Sequence, residues 1–265
     1  MAREVIRSAA NERLKRVRKL ASAKERDETG LFVAEGEDLV AAALDVGIRP
    51  VEAFVDAERP VLEERLPEAV AVEPSVLERV STLAHPPRII AVFSRGDLPA
   101  AGAERVALAL WDVSDPGNVG ALVRAADGLG PARLCLSGRS ADPSGPKALR
   151  ASMGALFRVP IVGFDEGVGE RVALVAHGGT PLPELELPGE VTFVLGAERA
   201  GLPAEVVAAC AATATIPLAG RAESLNVALA GAIALYEWRR RLPASAAATA
   251  SAATAAEPPA AEAGR

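Results

Sequence analysis

The chain has 265 residues, half of them apolar and 3% aromatic, and a formal net charge of −6 at pH 7. This length accommodates one large domain or two modest ones, and the scarcity of aromatic residues favours an α/β protein over a β-sandwich. The negative net charge alone argues against a nucleic-acid-binding protein, but the basic residues concentrate in two stretches, residues 3–26 and 124–158. Those stretches indicate either a local attraction to phosphate groups or a solvated helix face.

Helices and strands alternate in the first part of the chain. Apolar residues at helical spacing predict a helix over residues 9–26. The segments "GLFVAEG", "VEAFVD" and "RIIAVFS" are predicted strands, and "EDLVAAALDVG" and "PSVLERVSTLAH" are predicted helices. We therefore predict a small α/β domain at residues 1–97, followed by a linker at residues 98–104 that contains Pro and Gly.

A second alternation of strands and helices begins at residue 105. The predicted strands are "RVALALWDV", "ARLCLSG", "RVPIVGF", "RVALVAHGG", "VTFVLGAE" and "ATATIPLAG", and helices are predicted in "NVGALVRAADGLG", "PKALRASMGAL", "LPAEVVAACA" and "VALAGAIALYEW". Near-continuous apolar strands followed by helices predict a mostly parallel sheet with helices on both faces, at residues 105–242. Residues 243–265 offer no large apolar side chain to bury, so we expect a disordered Ala- and Pro-rich tail.

Several classes of protein are disfavoured by what the sequence lacks. Cys135 and Cys210 lie in apolar runs and are predicted to be buried thiols. With only two histidines, we expect no metal. There is no Walker A loop or Gly-x-Ser-x-Gly elbow, and "DPGNVGALVRAADGLG" is only a degenerate version of the dinucleotide fingerprint. No apolar segment reaches the length of a membrane span and no signal peptide is recognised, so we expect a cytoplasmic protein without a membrane partner.

Polar residues cluster in the loops where a parallel sheet binds its ligands. Such ligands lie outside the carboxyl ends of the strands, which here directs attention to the loops after "ALWDV", "TFVL" and "TATI". The first loop holds Asn118 and leads to Arg124, the second holds Glu198, and the third holds Ser224 and Asn226. Taken individually, Asn118 and Ser224 could be helix caps, Glu198 a turn carboxylate and Arg124 a surface residue.

Three segments in this order, "NVGALVRAADGLG", "FVLGAERAGL" and "IPLAGRAESLNVALAGAIALYE", resemble the motifs of a known family. It is the SpoU, or TrmH-type, family of RNA ribose 2'-O-methyltransferases in the SPOUT superfamily. The segment "KALRASMGALFRVP" is similar to the part of the family between the first two motifs, so that the resemblance covers about residues 105–240. In the first domain "RLKRVRKL", "LFVAEGEDLVAAAL" and "PPRIIAVF" resemble a ribosomal-protein-like RNA substrate-binding domain that many members carry.

This resemblance implies S-adenosylmethionine as the cofactor, a C-terminal trefoil knot in the backbone, and a homodimer. It implies that the cofactor is held largely by backbone groups at five positions: Leu195, Gly196, Ile216, Leu218 and Leu225. Backbone N–H and C=O groups can bind adenine without any polar side chain. A site of this kind therefore has no pattern of polar residues that would predict it.

The same resemblance places five polar residues at catalytic or RNA-facing positions: Asn118, Arg124, Glu198, Ser224 and Asn226. The implied reaction is in-line attack of a ribose 2'-hydroxyl on the sulfonium methyl group, accelerated mainly by orientation. Arg124 stays protonated and is a poor base, so it is predicted to clamp a phosphate and polarise the hydroxyl. Asn118, Ser224 and Asn226 are predicted to orient the loops and the ribose. Ser224 is also predicted to cap the last helix, and Glu198 to brace its loop or offset positive charge. The general base stays unassigned.

RNA contacts are predicted for seven basic residues, with solvated surface charges as the alternative: Arg13, Lys15, Arg16, Arg18, Lys19, Lys147 and Arg150. The predicted function is S-adenosylmethionine-dependent 2'-O-methylation of a ribose in RNA, with ribosomal RNA favoured because of the first domain. Transfer RNA is the alternative substrate. A non-catalytic RNA-binding or ribosome-assembly protein on the same fold is the alternative from another class.

Overall fold

The structure is a computed structural model that describes residues 5–242, so the predicted tail at residues 243–265 lies outside the described residues. Two compact units are present. Among the described residues, the first contains residues 5–100, 114–124 and 140–160, and the second contains residues 101–113, 125–139 and 161–242. The domain limits at residues 97 and 105 stay a prediction about the linear sequence.

The first unit is built on a mixed sheet of five strands. In chain order its elements are β1 (Val5–Ile6), α1 (Glu12–Lys19), α2 (Ala23–Thr29), β2 (Leu31–Glu35), α3 (Glu37–Asp45), β3 (Glu52–Asp56), β4 (Val70–Val72), α4 (Pro74–Val80) and β5 (Ile89–Ser94). The strand order is β1-β4-β3-β5-β2, with β5 antiparallel to both of its neighbours and the other pairs parallel. The short strands β1 and β4 were not predicted.

The single helix predicted over residues 9–26 is wrong, because the structure has two helices there. Asn11 begins α1, its side chain accepting a hydrogen bond from the Arg13 N–H at 3.0 Å. The chain then turns at Leu20–Ser22, where the Ser22 N–H donates to the Lys19 carbonyl at 2.9 Å. Alanines flank this turn, and because alanine is a strong helix former the sequence pattern does not reveal the break.

Apolar side chains pack on both faces of the first sheet. On one face Leu14, Val17 and Leu20 are buried in a cluster that also contains strand residues. On the other, the rings of Phe93 and Phe157 pack with their centroids 5.1 Å apart. Phe157 belongs to the segment of residues 140–160, which is therefore part of the core of the first unit.

The remaining elements follow in chain order as β6 (Val106–Leu110), α5 (Pro116–Leu129), β7 (Ala132–Leu136), α6 (Pro146–Ser152), β8 (Ile161–Gly163), β9 (Glu170–Leu174), β10 (Thr180–Pro181), β11 (Val191–Leu195), α7 (Ala204–Ala208), β12 (Ala212–Thr215) and α8 (Val227–Arg241). The seven strands form one sheet in the order β10-β12-β9-β11-β6-β7-β8, and every pair is parallel. The predicted α/β class with a parallel sheet is confirmed. Only the two-residue strand β10 was missed.

A glycine allows α5 and α6 to approach each other within the first unit. A Cβ atom on Gly120 would lie 2.2 Å from the Ala148 carbonyl oxygen and 2.6 Å from the Ala151 Cβ. No side chain fits there, which gives a packing reason for the glycine in the segment "NVGALVR". In residues 5–242 no helix has both the length and the apolar character needed to cross a membrane.

Candidate active site at the strand ends

A cavity of about 370 Å³ opens at the carboxyl ends of β9, β11 and β12, which are neighbours in the parallel sheet. We call it the strand-end pocket. It is lined by residues 174–177 after β9, by residues 195–201 after β11, and by Ile216, Leu218, residues 223–225, Val227 and Ala230. This is the edge at which open parallel sheets bind ligands.

All five residues predicted to hold the cofactor line the strand-end pocket: Leu195, Gly196, Ile216, Leu218 and Leu225. Leu195 is buried as the last residue of β11, whereas Leu218 is 38% exposed and lies in the loop after β12. The structure therefore brings the second and third motifs together around one cavity. Contact with a cofactor stays a prediction for each of these residues.

The wall of the pocket after β11 is made of tightly folded backbone. A Cβ atom on Gly196 would lie 2.2 Å from the carbonyl carbon of Gly201 and 2.5 Å from the Leu202 nitrogen. The Gly201 N–H donates to the Ala197 carbonyl at 2.9 Å, and Gly201 has a φ of +66°, where glycine is favoured. The loop thus returns on itself so closely that only glycine fits at residue 196.

The N-terminus of α8 forms another wall of the pocket. Asn226 is the cap of this helix, and its side-chain oxygen accepts a hydrogen bond from the Ala228 N–H at 2.9 Å. The prediction that Ser224 caps this helix is therefore wrong. Both residue types cap helices well, but Asn226 directly precedes Val227, the first helical residue. Ser224 lines the pocket instead.

Charged groups lie along the same pocket. Glu198, Arg199 and Glu223 are exposed lining residues, so that carboxylates outnumber the guanidinium group, and His177 lines the pocket from the loop after β9. The contribution of the β9 loop was not predicted, because that loop has few polar residues. The Gly-Gly pair that follows His177 was a signal of a turn at a strand end.

The first motif lies on α5, and neither Asn118 nor Arg124 lines the strand-end pocket. Asp115 caps this helix, its side chain accepting a hydrogen bond from the Asn118 N–H at 3.0 Å, so the alternative that Asn118 is the cap is wrong. Arg124 is exposed, and its side chain makes no hydrogen bond or ion pair with any residue in the described range 5–242. It is therefore available to a ligand.

The predicted RNA contact Lys147 is paired with a carboxylate of the first motif. Its Nζ lies 3.0 Å from Asp115 Oδ2. The hydrogen bond from Lys147, together with those from the backbone N–H groups of Asn118 and Gly117, holds the pKa of Asp115 below its usual value. This ion pair is exposed, so an RNA phosphate can compete for the lysine.

The basic residues of α1 are not equivalent. Arg13 and Arg16 both form ion pairs with Glu52 of β3, at 2.6 Å for Arg16, and the Glu52 side chain is only 8% exposed. Lys15 pairs with Glu12 at 2.6 Å on the helix surface. Together with Lys147, four of the seven predicted RNA contacts are thus bound to carboxylates of their own unit.

The other predicted RNA contacts have few partners. Arg18 and Lys19 are exposed, and within residues 5–242 neither side chain forms an ion pair. Arg150 approaches the Thr82 hydroxyl at 3.4 Å, which is a long hydrogen bond. These residues differ from Arg13 and Arg16 in that their guanidinium and ammonium groups can bind an added anion without first breaking a buried ion pair.

The two cysteines do not supply a nucleophile. Both are free thiols; Cys135 is buried as predicted, but the prediction is wrong for Cys210, which is only half-buried. Burial raises the pKa of Cys135 to about 11 and also raises the pKa of Cys210, and a thiol is reactive only as the thiolate. Among residues 5–242 no group of three side chains is arranged to hold a metal ion.

The strand-end pocket fits a small organic cofactor with an apolar part and a positive charge. Its volume lies in the range of small-molecule sites, about 300 to 1,000 Å³. Leucine and isoleucine side chains can cover a flat ring, and backbone groups of residues 195–201 can bind its edge. The carboxylates of Glu198 and Glu223 suit a positively charged group at the mouth.

An all-parallel sheet with such a pocket at its strand ends defines the class of α/β enzymes that bind a nucleotide-like ligand. The sequence places the chain within that class. The model of the SpoU rRNA methylase family matches residues 105–236, and that of the MRM3-like substrate-binding domain matches residues 11–91. The chain belongs to the SpoU rRNA methylase family, and the family predicted from the motifs is confirmed.

Relatives with a named activity match over most of their length. One is the 23S rRNA (guanosine(2553)-2'-O)-methyltransferase RlmP of Bacillus subtilis, which is 32% identical over 88% of this chain and 98% of its own. The 23S rRNA (uridine(2479)-2'-O)-methyltransferase of Streptomyces viridochromogenes is 28% identical over 82% of this chain and 85% of its own.

A solved structure, the AdoMet-bound rRNA methyltransferase of Sinorhizobium meliloti, aligns with a TM-score of 0.78 and 30% identity, covering 91% of this chain and 99% of that one. The SpoU methyltransferase AviRb of Streptomyces viridochromogenes, in complex with AdoMet, aligns with a TM-score of 0.75 and 26% identity, covering 87% and 98%. These similarities extend over both units and are not confined to the motifs.

Proposed function

We propose that the chain transfers a methyl group from S-adenosylmethionine to the 2'-oxygen of a ribose in ribosomal RNA. The observation that carries this proposal is the strand-end pocket, in which residues of two family motifs meet on a backbone-lined wall. The family, two relatives named as 23S rRNA 2'-O-methyltransferases and two AdoMet-bound neighbours support the same class of enzyme and cofactor. Ribosomal RNA is favoured over transfer RNA on the names of those relatives.

The residues of the pocket would hold the cofactor by shape and by backbone hydrogen bonds. Leu195, Ile216 and Leu225 supply the apolar walls, and Gly196 allows its loop to fold back on Gly201 along the pocket. Bound S-adenosylmethionine supplies an electrophilic methyl group on a positively charged sulfur. Glu198 can offset that charge at the mouth of the pocket.

The contribution of the polar motif residues is orientation more than proton transfer. Holding a hydroxyl in line with a reacting carbon contributes about 7–11 kcal/mol. Arg124, exposed on α5, is proposed to clamp an RNA phosphate and polarise the 2'-hydroxyl, since a guanidinium group stays protonated. Asn226 is proposed to act as a positioning residue, because its cap holds the first turn of α8 against the pocket. Ser224 and Asn118 are proposed to orient the ribose.

A label-transfer assay tests this function. The full chain is incubated with methyl-labelled S-adenosylmethionine and separately with protein-free 23S rRNA and with total transfer RNA, and labelled nucleosides are identified after digestion. We expect a 2'-O-methylnucleoside from 23S rRNA. No label in any RNA would contradict the enzyme and favour a non-catalytic RNA-binding or ribosome-assembly protein, and label in transfer RNA alone would contradict the ribosomal substrate.

We also propose that two copies associate through α8. Leu229, Ile233 and Tyr236 are 57%, 38% and 58% exposed, and their spacing places them on one face of the helix. Gly231 is buried within the chain itself, so this small residue serves packing inside one subunit. Light scattering at micromolar concentration should give a dimer for the wild type and a monomer for Leu229→Glu/Tyr236→Glu. Val51→Glu, a change at an exposed valine directly before β3, should leave the dimer intact.

The trefoil knot and the cytoplasmic location stay predictions from the sequence.

A further inference from the structure

A second cavity, of about 220 Å³, lies in the first unit. We call it the arginine pocket and define it by Val17, Arg18, Ala21, Val33, Glu35, Arg79, Val80, Ser81, Thr82 and Pro146. These residues come from α1, β2, α4 and the start of α6. The cavity is distinct from the strand-end pocket, which has none of these residues in its lining.

The arginine pocket combines apolar walls with a buried carboxylate. Val17, Val33 and Val80 are each at most 8% exposed, and Glu35 is 9% exposed. Three donors hold the Glu35 carboxylate, namely the Ser81 hydroxyl, the Thr82 N–H at 3.0 Å and the Thr82 hydroxyl at 2.6 Å. The Thr82 N–H also reaches the second carboxylate oxygen at 3.2 Å, so one donor is shared between two of the about four lone-pair positions. The longer of these two contacts is the one that a ligand donor can replace.

Two arginines at the rim of this pocket lack a carboxylate partner. Arg18 and Arg79 are exposed lining residues, and neither forms an ion pair or side-chain hydrogen bond with any of residues 5–242. On the same helix as Arg18, both Arg13 and Arg16 are paired with Glu52. The unpaired arginines thus lie at the cavity, where a guanidinium fork can bind a phosphate.

The wall contributed by the start of α6 is fixed by an ion-pair cluster. Arg26 is only 5% exposed. Its Nε donates to Asp142 at 2.7 Å, and its Nη1 donates to the Leu20 carbonyl at 2.9 Å. Arg95 donates to the same Asp142 oxygen at 2.7 Å and to the Ser144 hydroxyl at 3.0 Å. Pro146 lies two residues after Ser144, so the pocket wall is held in place before any ligand binds.

We propose that the arginine pocket binds one unpaired nucleotide of the substrate RNA, with its phosphate on Arg18 and Arg79 and its base between the valines above Glu35. This inference rests on the proposed function for the identity of the RNA. Single-stranded RNA is read by splaying out a base and by hydrogen bonds to its edge. The arginine pocket matches that mode of binding, because it has two cations at its rim and an apolar slot with one polar group, Glu35, at its floor.

The floor of the pocket favours a base that donates a hydrogen bond. Glu35 is an acceptor, and the oxygen that holds the Thr82 N–H only at 3.2 Å can accept from an amino group such as N4 of cytosine. Uracil has nearly the same shape but places a carbonyl oxygen at that point. Two acceptors facing each other repel, so cytidine nucleotides are expected to bind more tightly than uridine nucleotides by about five- to tenfold.

Nuclear magnetic resonance of the full chain with labelled valine methyl groups tests this binding directly. Titration with cytidine monophosphate should shift the methyl signals of Val17, Val33 and Val80, and uridine monophosphate should bind about five- to tenfold more weakly. Shifts of the same size with inorganic phosphate would contradict nucleotide binding and would show that the pocket binds only an anion. Unmoved signals with every nucleotide would also contradict the proposal.

A kinetic comparison connects the pocket to catalysis. Arg18→Ala/Arg79→Ala should raise the KM for 23S rRNA about tenfold while leaving kcat and the Kd of S-adenosylmethionine unchanged, because the change removes phosphate contacts alone. The control is Arg49→Ala, which removes an exposed arginine of the same unit that is paired with Glu68. If both variants have the same KM, the pocket does not bind RNA. If the wild type methylates no RNA but cytidine monophosphate still shifts the valine signals, the proposed function is wrong and the arginine pocket is still a nucleotide-binding site.

Discussion

The strand-end pocket and the arginine pocket are built from opposite kinds of groups. The first is lined by leucine, isoleucine and valine side chains and by the backbone of the loop at residues 195–201, with its charged side chains exposed at the mouth. The second places two unpaired arginines over a buried glutamate. A backbone wall selects a ligand by shape and is insensitive to salt, whereas an arginine rim attracts any phosphate and weakens as salt screens it. We therefore expect the binding of S-adenosylmethionine and the binding of RNA to respond differently to salt and to substitutions in the two pockets.

The largest expected effect is on the chemical step and not on either pocket. Arg124→Ala should lower the rate of methyl transfer about 100-fold or more, because a lost charge-assisted clamp acts in the transition state. The Kd of S-adenosylmethionine should stay within about twofold of the wild type, and Arg124→Lys should restore only part of the rate because it lacks the planar fork. Single-turnover label transfer at several cofactor concentrations measures both the rate and the Kd. A rate close to that of the wild type would refute the assigned role of Arg124.

Gly196→Ala should damage the strand-end pocket alone. The new Cβ would lie within 2.5 Å of three backbone atoms, so the loop must shift. We expect this shift to lower the unfolding free energy by about 1–3 kcal/mol and to weaken the binding of S-adenosylmethionine at least about tenfold. Gly138→Ala is the matched control, since nothing lies within 4 Å of its added Cβ. Calorimetric titration measures both affinities. Cytidine monophosphate binding at the arginine pocket should not change, and a parallel loss there would argue for general unfolding.

Salt should separate the two pockets. Between 50 and 200 mM salt the affinity for S-adenosylmethionine should change by less than about twofold, whereas the affinity for single-stranded RNA should fall steeply. In Arg18→Ala/Arg79→Ala the slope of log affinity against log salt should be smaller by roughly 1.4, about 0.7 for each lost phosphate contact. Fluorescence anisotropy at several salt concentrations gives the slope. An unchanged slope would mean that these arginines touch no phosphate.

Glu237 and Glu35 are both largely buried carboxylates near arginines, but the arginines of Glu237 are paired to it. Hydrogen bonds from Arg240 and Arg241 hold the pKa of Glu237 at about 2, and Arg241 also donates to the Leu182 carbonyl at 2.8 Å. A lowered folded-state pKa means stability that is fully present above the unfolded value of 4.5 and is lost as the pH falls towards 2. Glu237→Gln should cost about 2 kcal/mol at pH 7 and nothing near pH 2. Denaturant unfolding measures this difference, and a cost independent of pH would contradict the ion pair.

The smallest expected effect distinguishes Asn226 from Ser224. Asn226→Ala removes the cap of α8 and should lower the unfolding free energy by about 1 kcal/mol, or the Tm by about 2–4 °C. Ser224→Ala should stay within about 0.5 kcal/mol, because Ser224 is exposed and lies two residues before the cap. Thermal unfolding compares them. Equal losses would restore Ser224 as a capping residue.

Much of the fold could be predicted from local pattern. Apolar runs predicted six of the seven parallel strands, and the same runs placed the loops after β11 and β12 at one edge of a sheet. The short strands β1, β4 and β10 have two or three residues each, too few to show a period. The turn at Leu20–Ser22 was hidden because its neighbours favour a helix.

The candidate site could be predicted only in part, because its walls are backbone and its charges have partners distant in sequence. Leu195, Gly196 and Leu225 were assigned through a family resemblance and not through any polar signal. The pairing of Arg13 and Arg16 with Glu52 depends on a strand more than thirty residues away, so α1 looked uniformly basic in sequence. The contribution of the loop after β9 depended on strand order, which the order of elements along the chain does not determine.

The most direct test of the account is a titration of the full chain, labelled in its isoleucine, leucine and valine methyl groups, with S-adenosylmethionine. The account predicts saturation at one molecule per chain, with shifts of the signals of Leu195, Ile216, Leu218 and Leu225 and none of Val17, Val33 or Val80. Saturable binding that leaves Ile216 and Leu225 unmoved would place the cofactor elsewhere and contradict the assignment of the strand-end pocket.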